Sequence, residues 1–321
     1  MILYLLRRTL YGAVTVLGVL LFLFALFFFV ASPDDVARKA VGEKAPPEVL
    51  AQWKANHGYD KPLFRNPHDP FDAILADHFR RMLTFDFGRS DADDAPIVQR
   101  LSEGIGPTLS LTIPLFAIGI GLEIGLALFV AFLRETYVDR AGVFLCSLMM
   151  SVSVLLYIIG VQYVIGKLLR WFPISGFDPS PAVIARFLAM PLIAGILASI
   201  GSGVRFYRTV FLEETGRDYV RTARAKGCGP ARTMLVHVLR NSLIPITTQV
   251  VIDVPFLFTG SILLESFFGI PGLGSVTVDA INSNDFATLR TMVYVGALLF
   301  VTAQVLTDVC YVLIDPRVRL R

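Results

Sequence analysis

The chain has 321 residues, 55% of them hydrophobic and only 17% charged, with a net charge of +3. Soluble domains average about 45–50% apolar and about 25% charged residues, so an ordinary soluble domain is excluded, and a mean hydropathy of +0.64 agrees. The small net charge gives no footing for nucleic-acid binding, and Cys146, Cys228 and Cys310 are too far apart for a disulfide framework or a metal-ligand spacing.

An apolar run of about 20 residues implies a helix in lipid, where no water satisfies a free amide or carbonyl. In chain order the runs are Thr9–Ala31, Leu109–Leu133, Val143–Ile165, Phe187–Val204, Leu243–Leu264 and Thr291–Ile314, which predicts six spans. Arg7 and Arg8 before the first run would also suit a signal peptide. The run is long for one, however, and no A-x-A-like cleavage site follows, so a retained anchor is expected. The fourth run is the shortest, interrupted by Pro191 and three glycines.

The first two spans are separated by a long mixed segment, Ser32–Pro107. Within it Pro46–Pro47 can open a helix and Gly58 close it, which predicts a helix over Pro47–His57. Its histidines, His57, His68 and His78, form no i,i+4 pair and have no cysteine neighbour, so no metal site is expected. The expected divisions are 1–31 for the start and first span, 32–103 for the external loop, 104–314 for a five-helix core and 315–321 for a tail.

Orientation follows from where Lys and Arg collect in short loops. Arg7 and Arg8, Arg134 and Arg140, the run from Arg205 to Arg240, and Arg317, Arg319 and Arg321 all fall on one side of a six-span chain. Both termini are therefore expected in the cytoplasm, with Lys167 and Arg170 as a minor exception.

A transporter needs an energy source. The chain has no G-x-x-x-x-G-K-[ST], no H-E-x-x-H and no G-x-S-x-G, so neither a nucleotide site nor a catalytic constellation is expected, and no catalytic residue is named. Two classes are left: an ion-coupled secondary transporter or channel subunit, and a subunit driven by another protein. Ion coupling would use acids deep in the spans, and Glu123, Asp253 and, nearer an end, Asp308 are the candidates. Each is equally open to neutralisation by a neighbouring helix. No inverted repeat is visible in the hydropathy, which weakens the ion-coupled class.

The segment 205–242 is patterned like structure rather than linker. Glu213–Lys226 is rich in helix formers, Gly227-Cys228-Gly229 stops it, and Pro230 suits the first turn of a second helix, Ala231–Asn241. Tyr219, Thr222, Ala223 and Lys226 share one face, and Arg217, Arg221 and Arg224 another. The elbow suits close approach by another protein, against the plainer possibility of a basic loop that meets only lipid head groups.

The elbow's sequence, Asp218-Tyr-Val-Arg-Thr-Ala-Arg-Ala-Lys-Gly227 followed by Leu239-Arg-Asn-Ser-Leu-Ile-Pro245, resembles the EAA-type loop of ABC importer permeases, in the dipeptide/oligopeptide/nickel branch. Leu5-Leu-Arg-Arg8, Tyr59-Asp-Lys-Pro-Leu63, Asp86-Phe-Gly-Arg-Ser90, Glu265-Ser-Phe-Phe-Gly-Ile-Pro-Gly-Leu-Gly274 and Asp315-Pro-Arg-Val-Arg319 resemble further motifs of its first-permease subunit, in order from end to end. The chain departs from the broader pattern at Arg221-Thr-Ala, at Leu239-Arg240 and at Val30-Ala-Ser-Pro33, and carries Asp253 and Pro255 at positions where uncharged or glycine residues are expected.

The resemblance implies an all-α polytopic membrane protein of the type I importer permease fold, with six transmembrane helices and a large external loop between the first two. It implies a bacterial inner-membrane permease for peptides or a similar small solute, such as a metal chelate, antimicrobial peptide or oligosaccharide. The implied partners are a second homologous permease subunit in a heterodimer, two ATP-binding subunits that hold the ATP and Mg, an extracytoplasmic solute-binding protein and membrane lipid. No cofactor is implied in this chain. Coupling to the ATPase would fall to Asp218, Tyr219, Arg221, Thr222, Ala223, Arg224, Lys226, Gly227, Gly229 and Pro230, the path to Glu123, Asp253 and Pro255, and docking of the binding protein to Asp86, Phe87, Gly88, Arg89 and Ser90.

Overall fold

A computed structural model describes residues 2–30, 32–42, 44–64, 72–259 and 261–314. His68 and the Asp315–Arg319 motif lie outside the described residues. Every regular element among those described is helical, apart from one isolated antiparallel bridge between Arg89 and Pro96.

In chain order the helices are α1 (Ile2–Ala25), α2 (Pro33–Val41), α3 (Pro47–His57), α4 (Ile74–Leu83), α5 (Ile97–Phe132), α6 (Tyr137–Met150) and α7 (Val154–Val161). They continue with α8 (Ile184–Thr215), α9 (Asp218–Ala225), α10 (Pro230–Arg232), α11 (Leu239–Thr259), α12 (Ile262–Phe268), α13 (Leu273–Asn282) and α14 (Phe286–Ile314). Among the described residues five helices are long and apolar enough to cross a membrane, and the number of spans reaches seven if each of two bent pairs counts as one.

Local chemistry sets the ends. Pro47 opens α3, and Gly58, in the left-handed region at φ 73°, closes it as expected. Ser32 caps α2, its hydroxyl accepting from the Asp35 amide at 3.2 Å.

Two apolar runs fold differently from expectation. Val143–Ile165 is not one rod, because α6 stops at Met150 and the chain turns by 93° into α7. Ser151 lies in the break, its hydroxyl donating to the Ser147 carbonyl at 2.9 Å, a side-chain bond that competes with the helix ladder. The run from Leu243 to Leu264 is divided where Ser261 caps the separate α12. The fourth run is unbroken, and α8 passes through Pro191 for 32 residues. Its glycines serve close packing: a Cβ at Gly195 would lie 2.7 Å from Leu115 Cδ1, and one at Gly201 2.9 Å from the Cys146 carbonyl.

The chain forms two compact units. One comprises residues up to Gly106 together with Pro271–Val305, and the other contains Pro107–Ile270 with the end of α14. The expected division at 103/104 falls inside α5. Met82 and Phe87 of the external segment 32–103 share a core with Leu20 and Leu23 of α1, Leu273 of α13 and Tyr294 of α14.

In this first unit Ile74, His78 and Met82 lie one turn apart and are the buried face of α4. His78 Nε2 lies 3.1 Å from the Leu20 carbonyl. Burial, helped by the Arg290 guanidinium, pushes its pKa down to about 4. Asp285, fully buried, gathers the loop: it accepts from Ser90 Oγ at 2.6 Å, the Asp91 amide at 3.0 Å, Thr288 Oγ1 at 2.6 Å and Arg100 at 3.4 Å.

In the second unit, Arg208 of α8 grips Asp139 of α6 with two bonds, Nε at 2.8 Å and Nη2 at 2.9 Å. Arg208, read from the sequence only as part of a topology-setting cluster, is thus also a structural cation.

Two outcomes follow. The neutral form of His78 stabilises the fold fully above pH 6.5, and that contribution, roughly 3 kcal/mol, is lost as pH falls from 6.5 to about 4. Hydrogen exchange across α4 should show protection decaying over that window, and His78→Phe should flatten the profile. Asp139→Ala leaves Arg208 without its carboxylate and should cost about 3 kcal/mol, read as a lower thermal inactivation temperature; an unshifted transition refutes the pair's role.

Candidate functional site

The segment 205–242 is built from the end of α8, α9, α10 and the start of α11. The expected helix Glu213–Lys226 is divided, because α8 runs to Thr215 and Gly216-Arg217 bends the chain before α9 begins. Val220 and Ala223 are the buried side of α9, at 0% and 7% exposure. Val220 belongs to a cluster with Tyr207, Phe211, Met234 and Val238, with Tyr219 packed alongside.

That burial divides the expected contact residues. Ala223 faces the chain's own core, and Tyr219 is tied inward, its hydroxyl donating to Glu214 Oε2 at 2.5 Å. Burial, together with the Glu214 carboxylate, pushes the Tyr219 hydroxyl above its usual range. The exposed side carries Asp218, Arg221, Thr222, Arg224 and Lys226. Arg221 reaches Asp218 at 3.5 Å with both side chains largely in water, a weak pair. Arg224 and Lys226 make no ion pair among the described residues.

The bend has the chemistry of a helix stop. Gly227 sits at φ 82°, the Cys228 amide donates to the Ala223 carbonyl at 3.1 Å, and that pair closes α9. Gly229 is extended and Pro230 opens α10, as the Gly-Pro step requires. The expected second helix Ala231–Asn241 is not a separate rod: a π-helical turn over Thr233–Val238 feeds directly into α11.

The two span acids come together. Glu123 of α5 and Asp253 of α11 line one cavity of about 340 Å³, with Thr112, Ser199, Leu257 and Ser261. Ser199 Oγ donates to Glu123 Oε1 at 2.9 Å, and Gln249 Nε2 donates to both oxygens of Asp253 at 3.1 and 3.2 Å. Gly203 lies against the Glu123 carboxylate, so close that a Cβ there would overlap it. Pro255's side chain lies outside what is described. Asp308 is buried along α14.

A third acid was not singled out from the sequence. Glu265 of α12 is fully buried and accepts from Thr108 Oγ1 at 3.0 Å. Its signal was available, since it is a carboxylate inside an apolar stretch.

The Asp86–Ser90 turn divides likewise. Phe87 is a core residue and Ser90, at 0% exposure, donates to Asp285, so neither is free to meet a partner. Gly88 adopts φ 72°, which only glycine takes readily. Asp86 and Arg89 alone present charged side chains at the surface.

Comparison with known proteins agrees with this geometry. Residues 123–320 match the family of binding-protein-dependent transport system inner membrane components, and residues 1–112 match the N-terminal domain of such membrane components. A putative peptide transport system permease protein of Brucella abortus is 33% identical over 291 residues, covering 89% of this chain and 90% of the relative. A probable peptide ABC transporter permease of Sinorhizobium fredii is 29% identical, covering 98% of this chain and 99% of its own. A glutathione transport system permease of Salmonella typhi is 31% identical, covering 98% of each. Such end-to-end likeness sets aside the ion-coupled alternative, and the chain belongs to the family of binding-protein-dependent transport system inner membrane components, the permeases of ABC importers.

Proposed function

We propose that the chain is one of two different permease subunits of a peptide importer, with α9 as the helix that receives the ATPase stroke. The supporting observation is the two-sided character of α9: Val220 and Ala223 fix it to the body, while Arg224 and Lys226 stand exposed without an ion pair among the described residues. Two ATP-binding subunits, carrying the ATP and Mg, supply acidic or carbonyl partners for those cations. Gly227, Gly229 and Pro230 keep the elbow's angle, so closure of the ATPases is passed to α8 and α11 as a rigid-body shift.

The cargo is a peptide or similar small solute, as the names of the Brucella and Sinorhizobium relatives suggest. Glu123 and Asp253, gathered at one cavity, lie on its path. Both termini are cytoplasmic, and a solute-binding protein docks from outside near Asp86 and Arg89, the exposed members of that turn.

Gly227→Leu forces a branched side chain into the left-handed region at a cost of about 1–2 kcal/mol, and should abolish uptake while the chain inserts normally. Gly227→Asn, which tolerates that conformation better, should retain part of it; wild-type uptake by the leucine variant would remove the hinge from the mechanism. Asp253→Asn should change the affinity or range of solutes in a vesicle uptake assay without uncoupling ATP hydrolysis, and unchanged kinetics would return Asp253 to a packing role.

A further inference from the structure

Apart from the elbow and the span acids, the first unit holds a cavity of about 550 Å³, the size of small-molecule sites. Its walls carry Arg81, Arg89 and Arg290 with Asp86, Asp91 and Asp94. Most of these charges are already committed. Arg89 is neutralised by Asp94 at 3.1 Å. Asp91 accepts from the Ala287 amide at 2.8 Å and lies 3.5 Å from the Tyr59 hydroxyl. Asp86 is exposed and solvated.

Two guanidiniums remain to be placed, with the charge of Arg290 already acting on Asp91. Arg290 lies over the Phe28 ring, 5.0 Å from its centroid, and bonds to Tyr59, yet its Nε is buried with no acceptor. A buried cationic donor without an acceptor costs free energy that a bound anion recovers. Arg81 reaches past two left-handed glycine turns: its Nη atoms come within 3.7 Å of where a Cβ would stand at Gly58 and 3.6 Å at Gly88. A Cβ at either glycine would only touch it, and it makes no ion pair among the described residues.

We propose that this cavity binds a small solute by its carboxylate, held between Arg81 and Arg290. The site stands on its own geometry and needs neither the coupling role of α9 nor the path assigned to Glu123 and Asp253. The cavity is about half open, which lets a free small molecule enter.

The test uses the full-length chain in lipid nanodiscs. The chain has two tryptophans, so Trp171→Phe leaves Trp53, whose ring stacks on Tyr59 at 5.6 Å, as reporter of the cavity. N-acetylalanine should change Trp53 emission saturably, and N-acetylalaninamide, identical but for the carboxylate, should not. Arg81→Gln should weaken N-acetylalanine binding by at least about tenfold. Equal response to acid and amide, or wild-type binding by Arg81→Gln, overturns the site. Silence towards N-acetylalanine, with weaker capture of the solute-binding protein by Arg81→Gln, assigns the guanidiniums to a protein contact and likewise overturns it.

Discussion

The proposed coupling role of α9 depends on one contact, the burial of Val220 against Tyr207, Phe211, Met234 and Val238. A helix of eight residues is too short to hold itself together in water, where about 12–15 residues are marginal. Packing one side of it on α8 and the turn before α11 supplies the missing stability, with about 1.5–3 kcal/mol expected from Val220 alone. Pushing on the exposed side of α9 therefore moves the helices it sits on. Without the apolar underside, the same arginines would decorate a loose loop and pass on no displacement.

Close packing and polar satisfaction share the same residues elsewhere in that unit. Gly195 and Gly201 let α8 approach Leu115, Leu264 and the Cys146 carbonyl, while Gly203 leaves room for the Glu123 carboxylate. The helix is smooth where it meets neighbours and recessed where an acid must fit. Ser199, one turn before Gly203, supplies a hydroxyl to that acid. An acid in an apolar helix needs a donor nearby, and a short hydroxyl across a glycine gap is a compact way to provide one.

Much of this was legible in the sequence, for identifiable reasons. Apolar runs found the spans because lipid leaves the backbone few other options, and Gly58 and Gly227 read correctly as helix ends because left-handed caps favour glycine. The burial of Ala223 is not legible in the sequence, since a small residue fits a partner's surface or the chain's own core equally well. The burial of Phe87 and Ser90 is hidden for a similar reason: their partners, Tyr294 and Asp285, lie about 200 residues further along the chain. Glycines in the fourth run looked like interruptions because sequence shows what a residue lacks, not what fills the gap. The Asp139–Arg208 pair hid inside a charge pattern that topology alone already explained.

The length of α8 has a consequence for electrostatics. At about 1.5 Å per residue, its 32 residues extend roughly 48 Å, against a hydrocarbon core of about 30 Å. About 18 Å of α8 is therefore surplus to the apolar thickness, and its turns from Tyr207 to Thr215 form the stalk on which α9 packs. Exposed cations mounted on such a stalk are screened by salt within about 8 Å, so any contact made by Arg224 and Lys226 should weaken as ionic strength rises.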